Sequence, residues 1–501
     1  MQKLKYFING EWRDSKTEKY YDIYNPSTGE VIAKSPCCTK DEVEEAIGAA
    51  KEAYKDWSAM PVMKRVQVLY KFRDLLEERM DELVEILCKE HGKNWAEGHG
   101  DLLKVKEPVE LACSAPLLMM GESLMNTSTG YDTVLYRESL GVFAGIAPFN
   151  FPGMIPMGWM VPLCIATGNT MVLKASSTTP MTSFKLAELF VEAGLPKGVL
   201  NIVTCSRNEA EILLTHQDVK GITFVGSTAV GLHVYATGAS NGKRVQALCE
   251  AKNHALVLDD CMLERTVRGI VNSAFGCAGE RCMALPALCV QESIADKFME
   301  KLVEISKELK IGPAYDKTTD LGPVVTESHK KFVEEWIQKG VDEGATLVLD
   351  GRGTTVEGYE NGFYIGPTIF DNVTEDMEIG RQEIFGPVLC IKRVKDFEEG
   401  LRIMNENEFA NGSVIYTSSG YYSREFARRT DGGMVGINVG VPVPVGLFPF
   451  NGHKNSFFGD LHALGKDGVK FFTEAKVVTS TWFTEEDNKA KVDTWDGSVV
   501  K

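Results

Sequence analysis

The side chains best arranged for covalent chemistry in this chain are a thiol and a guanidinium held together in a glycine-flanked turn. They lie in Phe275-Gly276-Cys277-Ala278-Gly279-Glu280-Arg281-Cys282-Met283-Ala284, where an amphipathic helix-like run ends. A free thiol, with a pKa of ~8.5, is only a few per cent thiolate at neutral pH, and a neighbouring cation or exposed backbone N–H groups raise that fraction. Cys282 is therefore the candidate nucleophile, while Cys277, Cys289 and Cys261 read as ordinary buried thiols. The 12 cysteines contain no C-x-x-C pair, no Cys/His cluster at zinc spacing and no H-E-x-x-H. Neither a disulfide framework nor a metal is expected, and reduced thiols fit the cytoplasm.

A second chemical signal is Phe224-Val225-Gly226-Ser227-Thr228-Ala229-Val230-Gly231, a turn that follows a strand and opens a helix. Backbone amides at such a helix start face outward and can hold a pyrophosphate, although the G-x-G-x-x-G fingerprint of dinucleotide sites is missing. The elements around both signals alternate. Strands are predicted at 142–147, 170–174, 199–203, 221–225 and 244–248, with amphipathic helices at 181–193, 209–216 and 229–237 between them. This is the βαβ pattern of a parallel sheet covered on both faces. A second α/β series runs through 255–258, the helix 294–309, and strands at 345–349 and 388–394. The first hundred residues add a strand pair and two long helices, 40–55 and 62–91. Residues 484–501 are charged and nearly free of apolar side chains, as a solvated tail would be.

A chain of 501 residues with 44% hydrophobic content can bury a large core and should divide into two or three domains. The start, Met1-Gln2-Lys3-Leu4-Lys5-Tyr6, carries no apolar leader, and no stretch is long and apolar enough to span a bilayer. A net charge of −16 argues against nucleic-acid partners, which need clustered Lys and Arg on one face.

Five segments occur together and in order: Ala147-Pro148-Phe149-Asn150-Phe151-Pro152, Leu173-Lys174-Ala175-Ser176-Ser177, the Gly226 turn, the Cys282 segment and Gln382-Glu383-Ile384-Phe385-Gly386-Pro387. In these the chain resembles the aldehyde dehydrogenase superfamily, from Asn9-Gly10-Glu11-Trp12 to Trp482. Within it the chain is most similar to the CoA-acylating methylmalonate-semialdehyde dehydrogenase branch. Ala251-Lys252-Asn253-His254, Gly440-Val441-Pro442-Val443-Pro444 and Ser456-Phe457-Phe458-Gly459-Asp460-Leu461-His462 carry that closer likeness. The resemblance implies two doubly wound α/β domains plus a small β oligomerisation arm. The cofactor domain would comprise 1–119 and 141–250, the catalytic domain 251–440, the arm 120–140 and 470–485, and a flexible tail 486–501. It further implies attack on an aldehyde carbon by Cys282, with the oxyanion held by the Asn150 amide and the Cys282 N–H. Such donors contribute roughly 3 kcal/mol each. Lys174 and Glu383 would bind cofactor ribose hydroxyls. Ala147, Phe149, Gly226, Ser227, Cys249 and Phe385 would line the cofactor's path.

Two departures from the relatives bear on cofactor and acyl acceptor. Ser177 stands where NAD-preferring members carry a glutamate. A serine can donate to a 2′-phosphate that a carboxylate would repel, so NADP is favoured over NAD. Leu248 stands where hydrolytic members place the general base, which favours CoA, a thiol, as the acceptor. Glu250, two residues further on the same face of an extended chain, is a candidate displaced base and the opposing observation. The resemblance also implies that Arg281, and Lys104 in place of a second arginine, hold a substrate carboxylate beside Phe151. A lysine there keeps the charge without the bidentate fork.

The expectation is an NAD(P)-dependent dehydrogenase of a small anionic aldehyde, with CoA resolving the thioester and no metal. The alternatives are a hydrolytic NADP-dependent semialdehyde or sulfonate-aldehyde dehydrogenase, and a non-catalytic member of the fold. Short apolar strands at 133–138 and 477–482 would expose backbone edges in a monomer, so a homodimer or homotetramer is expected.

Overall fold

The computed structural model describes residues 2–489, 491–492 and 499–500. Two parallel sheets organise it. The first has eight strands in the spatial order Phe457–Gly459, Arg244–Leu248, Val219–Val225, Val142–Ile146, Thr170–Lys174, Leu200–Val203, Tyr6–Ile8 and Glu11–Arg13. The five inner strands are parallel, and each outer edge is closed by antiparallel chain. Chain order runs outward in both directions from Val142–Ile146, which puts a topological switch point beside it. Ligands of open α/β sheets sit in the crevice beyond the strand C-termini at such a point. Here those termini are Ile146 and Val225.

The second sheet has seven strands in the order Thr346–Leu349, Thr368–Asp371, Val388–Val394, Ala287–Gln291, His254–Val257, Gly412–Tyr416 and Met434–Ile437. Only the first of these is antiparallel. Its inner strands are buried along their lengths, as parallel strands covered on both faces must be. The helix Leu263–Phe275 covers one face and delivers the chain to the Cys282 turn.

A third, three-stranded antiparallel sheet pairs Thr473–Thr481 with Tyr131–Ser139 and the latter with Ser123–Ser128. It extends from the body with Met125, Tyr136, Val477 and Trp482 exposed.

The predicted strands of the first sheet fall within two residues of those observed, but three features differ from expectation. The run 62–91 is two helices, Val62–Glu78 and Met80–His91, broken at Arg79 (φ −111°, ψ 20°) without a proline or glycine. The Arg79 side chain turns instead to Glu192, 2.6 Å away, while Leu83, Val84 and Leu87 enter the core. Packing overrides helix propensity there. Residues beyond 440 do not simply run to the arm: Phe457–Gly459 returns to edge the first sheet against Arg244–Leu248. The buried segment Met154–Met160 after Phe151-Pro152 is a π-helix, which no periodicity in the sequence announced. The expected tail, 486–501, lies in large part outside the described residues.

Candidate active site

The Cys282 turn is bent by three consecutive left-handed residues, Cys277 (φ 53°), Ala278 (φ 52°) and Gly279 (φ 75°). For the two non-glycine residues this costs roughly 1–2 kcal/mol each, so neighbouring contacts must impose it. The Cys277 N–H donates to Glu97 Oε1 at 2.6 Å. Gly279 passes so close to the Gly386 carbonyl that a Cβ would lie 2.0 Å from its oxygen. The Cys282 carbonyl accepts from Asn253 Nδ2 at 2.9 Å and from Asn411 Nδ2 at 3.2 Å. With that carbonyl tied back, the residue lines a cleft of about 510 Å³.

Burial pushes the Cys282 thiol up to about 12, and the nearby Glu383 carboxyl adds to the rise. The backbone N–H groups of Cys282 and Met283 and the Lys93 ammonium oppose it. The groups that lower it are those that would also favour an oxyanion beside the sulfur. Asn150 is buried, and its Nδ2 donates to the Glu280 carbonyl at 3.1 Å, which places the amide against the nucleophile turn. Glu280 itself is fully buried, with Oε1 accepting from the Val325 N–H at 3.2 Å and Oε2 unpartnered. Desolvation raises its carboxyl well above the ordinary carboxylate range.

Arg281, Lys104 and Phe151 line the same cleft as Cys282, together with Trp159, Met283 and Phe450. Both cations are tethered. Arg281 Nη2 meets Glu97 at 3.3 Å and its Nε meets Cys277 Sγ at 3.1 Å. Burial works against its charge, but Cys277 and Glu97 outweigh that and keep it protonated. Lys104 Nζ bridges both carboxylate oxygens of Glu107 at 2.8 and 2.9 Å.

Beyond the switch point a second cleft, about 270 Å³, is lined by Ala147, Lys174, Arg207, Gly226 and Ser227, by the paired Glu211 and His233, and by neighbouring apolar residues. Lys174 is half-buried and has no hydrogen-bond acceptor among the described residues; desolvation lowers its pKa, against the opposing pull of the Cys205 and Cys37 thiols. An ammonium without an acceptor at the mouth of a parallel sheet fits a polyhydroxylated or phosphorylated ligand. Ser177 sits in the loop that follows Lys174, half-buried. Ser227 caps the helix Thr228–Ser240 without a side-chain bond of its own. These residues fit a nicotinamide dinucleotide: Lys174 would take ribose or phosphate oxygens, and the Ser227 and Thr228 amides would take the pyrophosphate, the Gly226 N–H being held by the Leu248 carbonyl at 3.1 Å.

Glu250, however, already uses that helix start. Its Oε2 accepts from the Thr228 N–H at 2.9 Å, and its own N–H donates to Thr228 Oγ1 at 3.3 Å. Cys249 is buried alongside, its thiol pushed up to about 12 by desolvation and then by Glu250. Leu248 is buried in the core. Glu383 accepts from the Ala251 N–H at 3.1 Å; burial, with Glu250 adding to it, raises its carboxyl to about 8. Phe385, left-handed at φ 59°, accepts from His329 Nε2 at 2.7 Å through its carbonyl, and its ring meets that of Phe149 edge-on at 5.8 Å. Among the described residues no group of three or more His, Cys, Asp or Glu could hold a metal ion. No helix among them is long and apolar enough to cross a membrane.

The sequence matches the aldehyde dehydrogenase family over residues 12–478. The chain belongs to that family. It is 49% identical over 480 residues to malonate-semialdehyde dehydrogenase 1 of Oceanobacillus iheyensis, with 96% of this chain and 98% of that one covered. Among solved structures it is similar, at TM-score 0.95 and 41% identity, to a Sinorhizobium meliloti protein crystallised with NAD and named for methylmalonate-semialdehyde dehydrogenase. That alignment covers 97% of this chain and 99% of the other. The methylmalonate-semialdehyde dehydrogenase of Oceanimonas doudoroffii gives the same TM-score at 40% identity, covering 97% and 99%. This aldehyde dehydrogenase is accordingly an NAD(P)-dependent oxidoreductase.

Sequence reasoning missed Glu97 and Asp101, two carboxylates that line the Cys282 cleft of the dehydrogenase beside its cations, and Lys93, which supports it from behind. The available signal was Asn94-Trp95-Ala96-Glu97, a capping box that fixes where the helix Trp95–Cys113 begins. With that start known, Glu97 and Asp101 fall on one face, four residues apart.

Proposed function

We propose that this aldehyde dehydrogenase oxidises a small anionic semialdehyde and passes the acyl group to CoA, preferring NADP to NAD. The observation that carries the reading is that two cations, Arg281 and Lys104, line the same cleft as Cys282. A substrate with a carboxylate or similar anion at one end and an aldehyde at the other would span from those cations to the sulfur. In this reading the Cys282 thiolate attacks the carbonyl carbon, and the oxygen that becomes negative accepts from Asn150 Nδ2 and the Cys282 N–H. A bound nicotinamide supplies the hydride acceptor that turns the adduct into a thioester. Lys174, Ser227, Glu383 and Phe385 hold the dinucleotide, with Ala147, Phe149, Gly226 and Cys249 along its path, and Ser177 admits the 2′-phosphate.

CoA as acceptor is supported by Leu248 at the usual base position and by the engagement of Glu250 with Thr228. The likeness to malonate- and methylmalonate-semialdehyde dehydrogenases agrees with it. The segments 1–119 and 141–250 serve the cofactor and 251–440 the chemistry. The exposed apolar faces of the arm, 120–140 and 470–485, pair subunits in a cytoplasmic homodimer or homotetramer. Steady-state assays of malonate-type semialdehydes, with and without CoA and with each nicotinamide, test the reading. Equal turnover without CoA, giving the free acid, would make the enzyme a hydrolytic semialdehyde or sulfonate-aldehyde dehydrogenase instead.

A further inference from the structure

Lys93 lies between the helices Met80–His91 and Trp95–Cys113 and is wholly enclosed. Its ammonium donates to Asp101 Oδ2 at 2.8 Å and to the backbone carbonyl of Asn150 at 2.5 Å. It also sits 3.4 Å from the centroid of the Phe151 ring. Asp101, equally enclosed, accepts from the Met154 N–H through Oδ1 at 2.7 Å. The pair therefore grips the segment from Asn150 to Met154 at both ends. One turn earlier on the same helix, Glu97 grips the other half of the site through Cys277 N–H and Arg281.

A wholly buried ion pair rarely stabilises a fold more than apolar side chains of the same volume would, so its energetic return alone does not account for it. Its contacts do: every one ends on the peptide segment that carries Asn150, or on Phe151. Burial also removes the water that would screen the ammonium from the neighbouring thiol, on which it acts electrostatically.

We propose that Lys93, seated by Asp101, is a positioning residue for the oxyanion: it fixes the Asn150 peptide so that the side-chain amide meets the oxygen made negative by Cys282. This rests on the reading of Cys282 and Asn150 as the reacting pair. Lys93 does not line the cleft; it reaches the Cys282 turn through the Asn150 peptide, whose side-chain amide meets the Glu280 carbonyl.

A double-mutant cycle between Lys93→Met and Asn150→Ala tests the proposal, because residues acting as one unit are non-additive. Lys93→Met is expected to lower kcat about 10- to 100-fold with KM changed less than about threefold, in line with the loss of transition-state hydrogen bonding. The double variant is expected to lose less than the two single losses combined. Alkylation of Cys282 by iodoacetamide in the free enzyme is expected to move to higher pH in Lys93→Met. Should Lys93→Met not fold, Lys93→Met/Asp101→Asn removes both charges while keeping an acceptor for Met154, and the same outcomes are expected of it. Additive losses, or an unchanged kcat in a folded variant, would overturn the role assigned to Lys93. An unchanged kcat in Asn150→Ala would instead overturn the reacting pair itself, which keeps the two failures apart.

Discussion

Replacing Glu250 by glycine separates two roles that its position allows. The carboxylate takes the Thr228 N–H at 2.9 Å, at the start of the helix whose amides would otherwise meet a cofactor pyrophosphate. A hydrogen bond to a charged group contributes about 1.5–3 kcal/mol, and an acid at a helix N-terminus adds about 0.3–1 kcal/mol. Water replaces most of that bond in the variant, so folding stability is expected to fall by about 1 kcal/mol. Dinucleotide binding gains what the parent must give up to release the same N–H, about 1–2 kcal/mol, and since 1.4 kcal/mol is tenfold, Kd should tighten roughly tenfold. Calorimetric titration of NADP and NAD into the parent and Glu250→Gly proteins measures this directly. CoA-dependent turnover should be retained, because the thiol acceptor does not use Glu250. If affinity is unchanged while CoA-independent turnover collapses by about 10²–10⁴-fold with the burst of reduced cofactor intact, Glu250 is a general base and the argument fails.

Cys282→Ala is expected to abolish dehydrogenase activity while keeping cofactor affinity within about twofold, and Asn150→Ala to lower kcat about 10²–10³-fold, as loss of an oxyanion donor does; activity retained in the cysteine variant places the nucleophile elsewhere. Ser177→Glu should shift the ratio of kcat/KM values from NADP toward NAD. An unchanged ratio points to Arg207, on the wall of the same cleft as Lys174. With the thiol raised to about 12, iodoacetamide labelling of Cys282 in the free enzyme should climb about tenfold per pH unit from 6 to 9; a plateau below pH 8 refutes it. Glu383, raised from 4.5 to about 8, binds its proton more tightly when folded. Its contribution to stability is therefore full below 4.5 and lost as pH rises through 8. Glu383→Gln should gain in thermal midpoint over the parent between pH 5 and pH 8, and a constant difference would contradict the shift.

The parallel sheets were readable because buried strands are short, β-branched and separated by amphipathic helices, a pattern set by local composition. Hence the close match at Thr170–Lys174, Arg244–Leu248 and Val388–Val394. What composition could not supply were features decided across the chain. The break at Arg79 comes with an ion pair to Glu192, more than a hundred residues away, and the strand Phe457–Gly459 pairs with the outer edge of Arg244–Leu248. Neither has a signal within ten residues of itself.

The candidate site divides along the same line. Residues that present chemistry to a cleft, such as Cys282, Lys174 and Arg281, carry motifs, because each must sit in a turn of defined shape. Of the residues that hold those turns only Glu97 carries a signal, its capping box with Asn94; a lysine beside a helix or an aspartate on it has the same local propensity whether it faces solvent or a buried peptide. Lys93, just before the helix Trp95–Cys113, and Asp101 on it look in sequence like the half-buried Lys106 and the exposed Glu110 further along, yet they are enclosed against Asn150 and Met154. Glu250 shows the converse. Its spacing from Leu248 suggested a base, but spacing along one strand cannot reveal that a helix start lies within reach. The Thr228 N–H competes for the carboxylate, and the balance between that bond and a water or thioester near Cys282 depends on contacts from a different strand, helix and domain. Under the proposed reading the acyl acceptor turns on tertiary competition for one side chain, and replacing that side chain separates CoA from water.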